Sequence, residues 1–135
     1  MTNMNAISIW DEMTSTLGKP QFAFTLAVAE EHLTLRELIR ARVFQEVAEY
    51  NARQGEVFRG LVQPSGAERV LNGFRLPQSR QIDGQQQFER AIEAFEHNGF
   101  VVLVDDRQVD DLDAPIALHP DLSVNFLKLL PLVGG

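Results

Sequence analysis

The sequence predicts an α+β fold in which helices cover one face of a mixed β-sheet. Three observations support this prediction. Residues 21–29 alternate between apolar and small or polar side chains, which is the pattern of a half-buried strand. Residues 35–50 place apolar side chains at the three- and four-residue spacing of an amphipathic helix. From Phe100 onward the pattern is again that of strands.

The first two strands are predicted to form an N-terminal hairpin. Asn5–Met13 carries apolar side chains at alternate positions, and a turn at Thr16–Pro20 leads into Gln21–Ala29. The glycine and proline of that turn favour it, because glycine tolerates positive φ and proline has no amide hydrogen for a ladder. On the second strand we expect four side chains to share one face: Phe22, Phe24, Leu26 and Val28.

The first helix is predicted over Leu35–Tyr50. Thr34 and Glu37 have the spacing of a capping box, in which each side chain bonds the backbone amide of the other residue. The apolar stripe of this helix contains Leu35, Leu38, Ile39, Val43, Val47 and Tyr50. The opposite, polar side is predicted to contain Arg36, Arg40, Glu46 and Glu49.

Residues 51–80 are predicted to be an irregular insertion between the first and second helices. Their apolar side chains have no steady period, and glycines and prolines interrupt them, so we expect short strands or turns. The second helix is expected to begin with Asp83 as its N-cap. It should end at Asn98–Gly99, with Gly99 in the C′ position.

The last third of the sequence predicts a strand, a tight hairpin and a final strand. Phe100–Val104 is a continuous apolar run, so we expect a central strand that is buried on both faces. Asp105–Asp106 bounds that run and turns the chain into a return strand, and the final strand is predicted over Ser123–Leu130. We expect two of its residues to face the core and two to face outward: Val124 and Phe126, then Leu127 and Leu129.

The composition excludes several classes of function. Twelve Lys and Arg residues against nineteen Asp and Glu give a net charge of −7, which is poorly suited to nucleic acid or an anionic membrane and suits a partner with a basic face. The absence of cysteine excludes disulfides and any thiolate chemistry on the chain itself. No apolar run approaches the ~20 residues of a membrane span, and no signal-peptide pattern is present, so we expect a cytoplasmic protein.

The sequence offers no motif for catalysis, for a cofactor or for a metal. His32, His97 and His119 are far apart and have no ligand-like spacing. The aspartates between Asp105 and Asp113 lack the spacing of a calcium loop, so turns and a solvated surface explain them better. Nucleotide-binding glycine loops and nucleophile motifs are also absent from the sequence. We therefore expect a protein that is not an enzyme, holds no metal and binds no cofactor of its own.

Two glycines, Gly134 and Gly135, directly follow the last apolar segment. With the order of elements, this pattern resembles the ubiquitin-like β-grasp proteins with a C-terminal diglycine. The resemblance is nearest to the prokaryotic sulfur carriers (the small subunit of molybdopterin synthase and the thiamine sulfur carrier) or to a related bacterial ubiquitin-like modifier. Three stretches carry it: the capped helix segment Phe24–Ile39, the strand–turn–strand segment Val102–Leu118, and the last strand with its tail, Ser123–Gly135.

The resemblance implies one β-grasp domain over residues 1–130, with residues 51–80 inserted, and a flexible, exposed tail over residues 131–135. In this family a ubiquitin-activating-type adenylating enzyme uses ATP and Mg to adenylate the terminal carboxylate, here that of Gly135. Gly134 and Gly135 are therefore the predicted activated residues. The apolar side chains of the last strand and tail are the predicted partner-docking residues: Leu127, Leu129, Pro131, Leu132 and Val133.

The residues leave two outcomes of activation open. A thiocarboxylate would make the chain a sulfur carrier for a sulfur-accepting synthase, whereas amide formation would make it a protein modifier served by a conjugating enzyme and an isopeptidase. The chain is longer than the small carriers, and Asp105-Asp106-Arg107 replaces their Asn/Gly-rich turn. An alternative of another class is a β-grasp interaction module whose tail is never activated and which would tolerate loss of Gly135.

Overall fold

A computed structural model describes residues 5–14, 17–53, 57–70, 73–76 and 81–129 of the chain. Its two helices are α1 (Leu35–Arg53) and α2 (Gly84–Glu96). Its strands are β1 (Asn5–Met13), β2 (Gln21–Val28), β3 (His32–Thr34), β4 (Val57–Phe58), β5 (Glu68–Val70), β6 (Gly73–Arg75), β7 (Phe100–Val104), β8 (Arg107–Val109), β9 (Pro115–Ala117) and β10 (Ser123–Lys128). The predicted α+β class with a mixed sheet is confirmed.

The chain divides into two compact units. Met1–Leu38 and Ala94–Gly135 form the first unit, and Ile39–Glu93 forms the second. The first unit contains a five-stranded sheet in the order β2-β1-β10-β7-β8. The first strand of the chain and the last therefore lie side by side at the centre of this sheet. Neither helix in the described part of the chain is long and apolar enough to cross a membrane.

The β1–β10 pair is parallel, and every other neighbour in this sheet is antiparallel. Ser8 lies opposite Ser123, and the pairing continues to Met13 opposite Lys128. A parallel pair needs a long connection between its strands. Here the connection is the chain between the end of β1 at Met13 and the start of β10 at Ser123. The N-terminal hairpin predicted from the sequence is present as the antiparallel β1–β2 pair.

Alternate residues of four of the five strands, β1, β2, β7 and β10, build the core of the first unit. The side chains buried on this face include Ile7, Ile9, Leu26, Val28, Phe100, Val102, Val124 and Phe126. Val124 and Phe126 face the core as predicted. One prediction was wrong: Phe100–Val104 is not buried on both faces, because Val101 and Leu103 remain half-buried. Strand β7 lies between β10 and β8, and its second face is partly open to solvent.

A second, two-stranded sheet of the first unit lies beside the start of helix α1. Strand β3 pairs with β9, and Leu33 lies opposite Ile116. The loop just before β9 then accepts hydrogen bonds from the first helical amides: Leu35 N donates to Ala114 O and Arg36 N to Leu112 O. These backbone donors have no partner inside a helix, so the loop completes the helix start.

The predicted capping box at the start of α1 is present. Thr34 Oγ1 accepts a hydrogen bond from Glu37 N at 3.1 Å, and Glu37 Oε1 accepts one from Thr34 N at 2.9 Å. The backbone hydrogen bond from Thr34 lowers the pKa of the Glu37 carboxyl, with a smaller contribution from the Thr34 hydroxyl. The helix itself continues to Arg53, three residues beyond the predicted end.

We expect Thr34→Ala to lower the free energy of unfolding by about 1 kcal/mol, because it removes the acceptor for the Glu37 amide. Urea unfolding of the full chain measures this change. Thr34→Ser is the matched control and should keep most of the stability, since serine is at least as good an N-cap. Equal stability of the alanine and serine variants would contradict the role given to the hydroxyl.

The second unit combines most of α1, most of α2 and a small antiparallel sheet in the order β4-β6-β5. Its strands lie in the residues predicted as an irregular insertion with short strands. The loop after β4 is held from both helices. Leu61 N donates to Glu46 Oε1 at 2.9 Å, Gln87 Nε2 donates to Val62 O at 3.0 Å, and Arg90 Nε donates to Gln63 O at 2.9 Å. Asn51 also exchanges two hydrogen bonds with the backbone of Ile82.

The placement of Glu46 on the polar side of α1 was wrong. Glu46 is 8% exposed, and Arg42 one turn earlier is fully buried. Arg42 Nε donates to Glu46 Oε2 at 3.3 Å, so the two charges lie together inside the second unit. Buried charges persist where they are paired and hydrogen-bonded, which the Leu61 amide also provides for Glu46.

Helix α2 begins as predicted and ends one residue earlier. Asp83 Oδ1 accepts hydrogen bonds from Gln85 N and Gln86 N, the N-cap pattern. At the other end Asn98, and not Gly99, has positive φ (60°) and is the C′ residue. Gly99 N donates to Ala94 O at 2.7 Å, which completes a Schellman motif. Asparagine is the residue that most often replaces glycine in this conformation.

Candidate functional site

Only part of the predicted site, the residues up to the end of β10 and Leu129, lies within the described residues. Leu127 and Leu129 are described and half-buried, whereas Pro131, Leu132, Val133, Gly134 and Gly135 lie outside the described residues. Leu127 is opposite Glu12 of β1 and Val101 of β7. Beyond the strand, Leu129 N donates to Gly99 O at 3.0 Å, which fixes the last described residue to the turn before β7. The strand that precedes the diglycine segment in the sequence, β10, is therefore the central strand of the sheet.

An irregularity in the first hairpin changes which side chains face outward. The β1–β2 register shifts between Ile9 and Trp10, so that Ile9 is opposite Phe24 but Trp10 is opposite Phe22. Ala23 is the extra residue of this bulge, and bulges re-aim the side chains beside them. Phe22 consequently leaves the face that holds Phe24. The prediction that both share one face was wrong, and Phe22 is 55% exposed.

The bulge produces an apolar surface on the side of the sheet away from the buried residues. Trp10 and Phe22 pack edge to face, with ring centroids 5.4 Å apart. The register carries this surface across the central strands through the half-buried side chains of β10 and β7. We call it the open-face patch, and its members are Trp10, Phe22, Val101, Leu103 and Leu127. Apolar side chains that remain partly exposed on one face of a sheet make that face a candidate interaction surface.

A polar pair lies within the open-face patch. Asn125, opposite both Trp10 and Leu103, donates from Nδ2 to Glu12 Oε1 at 2.8 Å. The other oxygen of Glu12 accepts a hydrogen bond from Gly18 N at 2.8 Å, which ties the hairpin turn to the sheet. Asn125 Oδ1 is buried and has no hydrogen-bond partner in the described structure. It is an acceptor placed among apolar side chains at the centre of the sheet.

The end of β10 on the core side carries an ion pair. Lys128 Nζ lies 3.8 Å from Asp11 Oδ2, and both side chains are largely buried. This pair joins the two parallel strands at the point where the chain leaves the sheet toward the tail.

The start of β10 is held by Asp105 of the hairpin turn. Asp105 and Asp106 both have positive φ (47° and 68°), as a two-residue type I′ turn requires. Asp105 Oδ1 accepts a hydrogen bond from Ser123 N at 3.1 Å, and its Oδ2 lies 2.8 Å from His119 Nε2. The Ser123 amide, and after it the imidazole, hold the pKa of Asp105 below its usual value.

We expect the stabilising effect of Asp105 to be lost on acidification. A carboxyl whose pKa is lower in the folded state contributes its stability above the unfolded pKa, and loses it as the pH falls through the folded value. Asp105→Asn should therefore be less stable than the wild type at neutral pH. The difference in urea unfolding should close as the pH falls through and below the usual range of aspartate.

Asparagine is the matched replacement at this position because it also tolerates positive φ and keeps an oxygen for the Ser123 amide. The comparison therefore isolates the charge of Asp105. A difference that stayed constant from neutral pH to strongly acidic pH would contradict the assignment.

Two further aspartates of the last third of the chain take part in a turn and a surface ion pair. Asp111 Oδ1 accepts a hydrogen bond from Asp113 N, and Asp113 Oδ1 lies 3.6 Å from Arg36 Nε. The sequence treats His119 as a turn residue alone, whereas the structure brings it to Asp105. In the described ranges no three carboxylate or imidazole groups are grouped so that they could hold a metal ion.

Sequence reasoning missed the two aromatic members of the open-face patch. Trp10 is out of phase with Ile7 and Ile9, and this is the signal that it faces the other side of β1. Phe22 gives no such signal, because its exposure depends on the bulge at Ala23.

Comparison with models of known protein families found no match, and searches of curated proteins and of solved structures found no significantly similar protein.

Proposed function

We propose that the chain is a ubiquitin-like β-grasp carrier or modifier whose C-terminal glycine is activated by a partner enzyme. The order of the five-stranded sheet carries this proposal. In a β-grasp sheet the first and last strands are parallel neighbours at the centre, each is flanked by an antiparallel strand, and a helix follows the first hairpin. The order β2-β1-β10-β7-β8, with β1 and β10 parallel and α1 after the hairpin, has this arrangement.

The central position of β10 suits the presentation of a C-terminal arm. Leu129 follows the last strand, is hydrogen-bonded to Gly99, and precedes the sequence Leu130-Pro131-Leu132-Val133-Gly134-Gly135. Glycines without a Cβ fit a narrow channel and adopt backbone dihedrals that are closed to other residues. The proposal requires Gly135 to carry the free carboxylate.

The proposed chemistry begins on a partner enzyme that holds ATP and Mg. A carboxylate oxygen of Gly135 attacks the α-phosphate, the bond to pyrophosphate breaks, and an acyl-adenylate forms. A sulfur nucleophile from the partner then attacks the acyl carbon and displaces AMP. When the nucleophile is hydrosulfide supplied by a sulfur-donor partner, this displacement gives a thiocarboxylate directly. When it is a partner thiolate, the product is a thioester; an amine then attacks its acyl carbon, the carbon–sulfur bond breaks, and an amide and the free thiol result.

The open-face patch is the proposed docking surface for the activating enzyme. It adjoins the strand that leads to the tail, and it combines aromatic and aliphatic side chains with the half-buried Leu127. Residues Met1–Leu38 and Ala94–Gly135 together contain twelve acidic and four basic residues. A partner with an apolar centre and a basic surround fits this unit.

Intact-mass measurement tests the proposal. The protein is purified from its native host, and separately after co-expression with the adenylating enzyme encoded nearest to its own gene. A sulfur carrier shows the mass increase of one oxygen-to-sulfur exchange at the C-terminus. A modifier leaves Gly-Gly remnants on lysines of other proteins. If neither species forms and deletion of Gly135 leaves biological function intact, the interaction module without activation replaces this proposal.

We expect Phe22→Ser to weaken binding to the activating enzyme by at least about tenfold, because exposed aromatic anchors dominate interfaces. Phe22 is 55% exposed, so the change should alter folding stability little. Leu17→Ser is the matched control: Leu17 is 62% exposed but lies in the hairpin turn and not on the paired strands. Titration calorimetry measures both, and equal affinities of the two variants would place the docking surface elsewhere.

A further inference from the structure

The open face of the five-stranded sheet carries one charged side chain among the residues paired within its described strands. Alternation along β1 places Glu12 on the same face as Trp10, and the register places it beside Leu127. The other charged residues of these strands lie on the opposite, core-facing side: Asp11, Arg107 and Lys128. These strands therefore contribute one negative charge to the open-face patch and no positive charge.

The Glu12 carboxylate is held in place without being neutralised. Its Oε1 accepts a hydrogen bond from Asn125 Nδ2 and its Oε2 accepts one from Gly18 N, both at 2.8 Å. Neither donor is charged, and Glu12 forms no ion pair with another described residue, including Lys19 of the hairpin turn. A carboxylate offers about four lone-pair sites, so each oxygen is able to accept a further hydrogen bond.

Aromatic side chains lie next to this carboxylate. Trp10 precedes Glu12 by two residues on the same face, and its ring packs against Phe22 with the centroids 5.4 Å apart. Phe22 is 55% exposed, so the aromatic pair is accessible from solvent. The faces of aromatic rings, and that of tryptophan most strongly, attract cations. A cation that binds beside Trp10 therefore meets a ring and a carboxylate together.

We infer that the open-face patch binds an arginine side chain of its partner, with the guanidinium against Trp10 and hydrogen-bonded to Glu12. This inference rests on the docking role proposed above for the patch, and it names the chemistry of the residue that the partner supplies. Charge complementarity selects a basic occupant. The carboxylate has no ion pair within the described residues, and the chain as a whole carries a net charge of −7.

Arginine fits this position better than lysine does. Its guanidinium is planar, so it stacks on an aromatic ring while its N–H groups point in the plane toward a carboxylate. It is also more weakly hydrated than an ammonium, which lowers the cost of moving it onto an apolar surface. The half-buried Leu103 and Leu127 on the neighbouring strands supply that apolar surface around the charged group.

Titration of the full chain with short peptides tests the inference. Trp10 is the only tryptophan of the chain, so its fluorescence reports binding at this site. The probe is acetyl-Leu-Arg-Leu-amide, and the comparison peptide carries citrulline, the uncharged analogue of arginine, at the central position. We expect saturable changes in emission at low salt, with the arginine peptide binding at least about fivefold more tightly. The corresponding lysine peptide should bind more weakly than the arginine peptide.

Glu12→Gln should abolish the preference for arginine over citrulline, because it removes the charge and keeps one oxygen acceptor. Glu30→Gln is the matched control and should keep the full preference. Glu30 is exposed and follows Val28, which pairs with the start of β1, so it lies at the other end of that strand from Glu12. Circular dichroism shows whether each variant is folded. The comparison of the three peptides on the wild-type chain needs no variant, so it tests the inference even if Glu12→Gln does not fold.

Equal affinities of the arginine and citrulline peptides for the wild-type chain would overturn the inference, and so would the absence of any change in Trp10 emission. A preference for arginine that survives in Glu12→Gln, or that is lost equally in Glu30→Gln, would also overturn it. Equal binding of the lysine and arginine peptides would overturn the choice of a guanidinium. The assay contains no activating enzyme, so its failure is distinguishable from a failure of Gly135 adenylation, which is measured separately.

Discussion

If the chain is activated as proposed, deletion of Gly135 is expected to abolish its adenylation by the proposed activating enzyme. The arm becomes shorter by one residue, about 3.5 Å, so the new terminal carboxylate no longer reaches the α-phosphate of ATP. A misplacement of ~1 Å can already cost about 100-fold in rate, and this displacement is larger. ATP–pyrophosphate exchange with the purified enzyme measures the effect directly.

Two further variants separate the effect of arm length on adenylation from the effect of side-chain size. Gly134→Val retains the length but adds a branched side chain where a narrow channel needs none, and it should reduce exchange nearly as much. Val133→Ala retains the length and narrows the arm, so exchange should remain close to the wild-type rate. Full exchange activity in the chain lacking Gly135 would contradict the proposed function. The melting temperature should be the same in all three variants, because the described sheets end before these positions.

Replacement of Glu46 by alanine is expected to have the largest effect on stability, about 3–5 kcal/mol. The carboxylate that faces the fully buried Arg42 is lost, and so is the acceptor of the Leu61 amide. Breaking one side of a buried charge pair is costly because the remaining charge stays buried without the carboxylate that faced it. Urea unfolding followed by circular dichroism gives the free energy.

A variant that lacks both charges shows whether the loss of stability comes from the broken ion pair or from lost side-chain packing. The double variant Arg42→Met/Glu46→Leu replaces the pair with apolar side chains of similar size and should recover most of the stability. Glu46→Gln keeps an oxygen for the Leu61 amide and should lie between the alanine variant and the wild type. If the double variant is as unstable as Glu46→Ala, the cost comes from lost packing and the ion pair is not its source.

The sequence was most informative where one local rule decides the structure. Alternation predicted Asn5–Met13, and a continuous apolar run predicted Phe100–Val104, both with their observed bounds. The capping box at Thr34 predicted the first residue of α1, since two hydrogen bonds between near neighbours fix it. The turn was predicted from Asp105–Asp106 at the end of the apolar run, and in the structure both residues have positive φ.

Features that depend on distant partners were not predictable. The exposure of Phe22 depends on the register of β2 against β1, and the pattern within β2 alone points to the opposite face. The burial of Glu46 depends on its contacts with Arg42 and with the Leu61 amide. The spacing of apolar residues along the helix does not predict these contacts. Strand β3 is three residues long and exists through its pairing with β9, far along the chain.

The same distinction applies to the candidate site. The outward side of Leu127 follows from alternation with Phe126, whereas Trp10, Val101 and Leu103 join it only because β1, β10 and β7 are neighbours. That order of strands is a property of the whole sheet. A partner that reads the open-face patch therefore recognises the assembled fold, and no continuous segment of the sequence contains the surface.

The central position of β10 has a consequence for how the chain acquires its structure during synthesis. Hairpin β1–β2 emerges early, but two strands alone are marginally stable in water, and β1 lacks its parallel neighbour until residues 123–128 have been made. Contacts between residues as distant as Ser8 and Ser123 form slowly, because a long loop must close first. On the ribosome the first unit therefore remains incomplete, with an unpaired strand edge, until its last strand is released. That last strand is also the one that leads to the residues proposed for activation, so a chain able to present them has already completed its sheet.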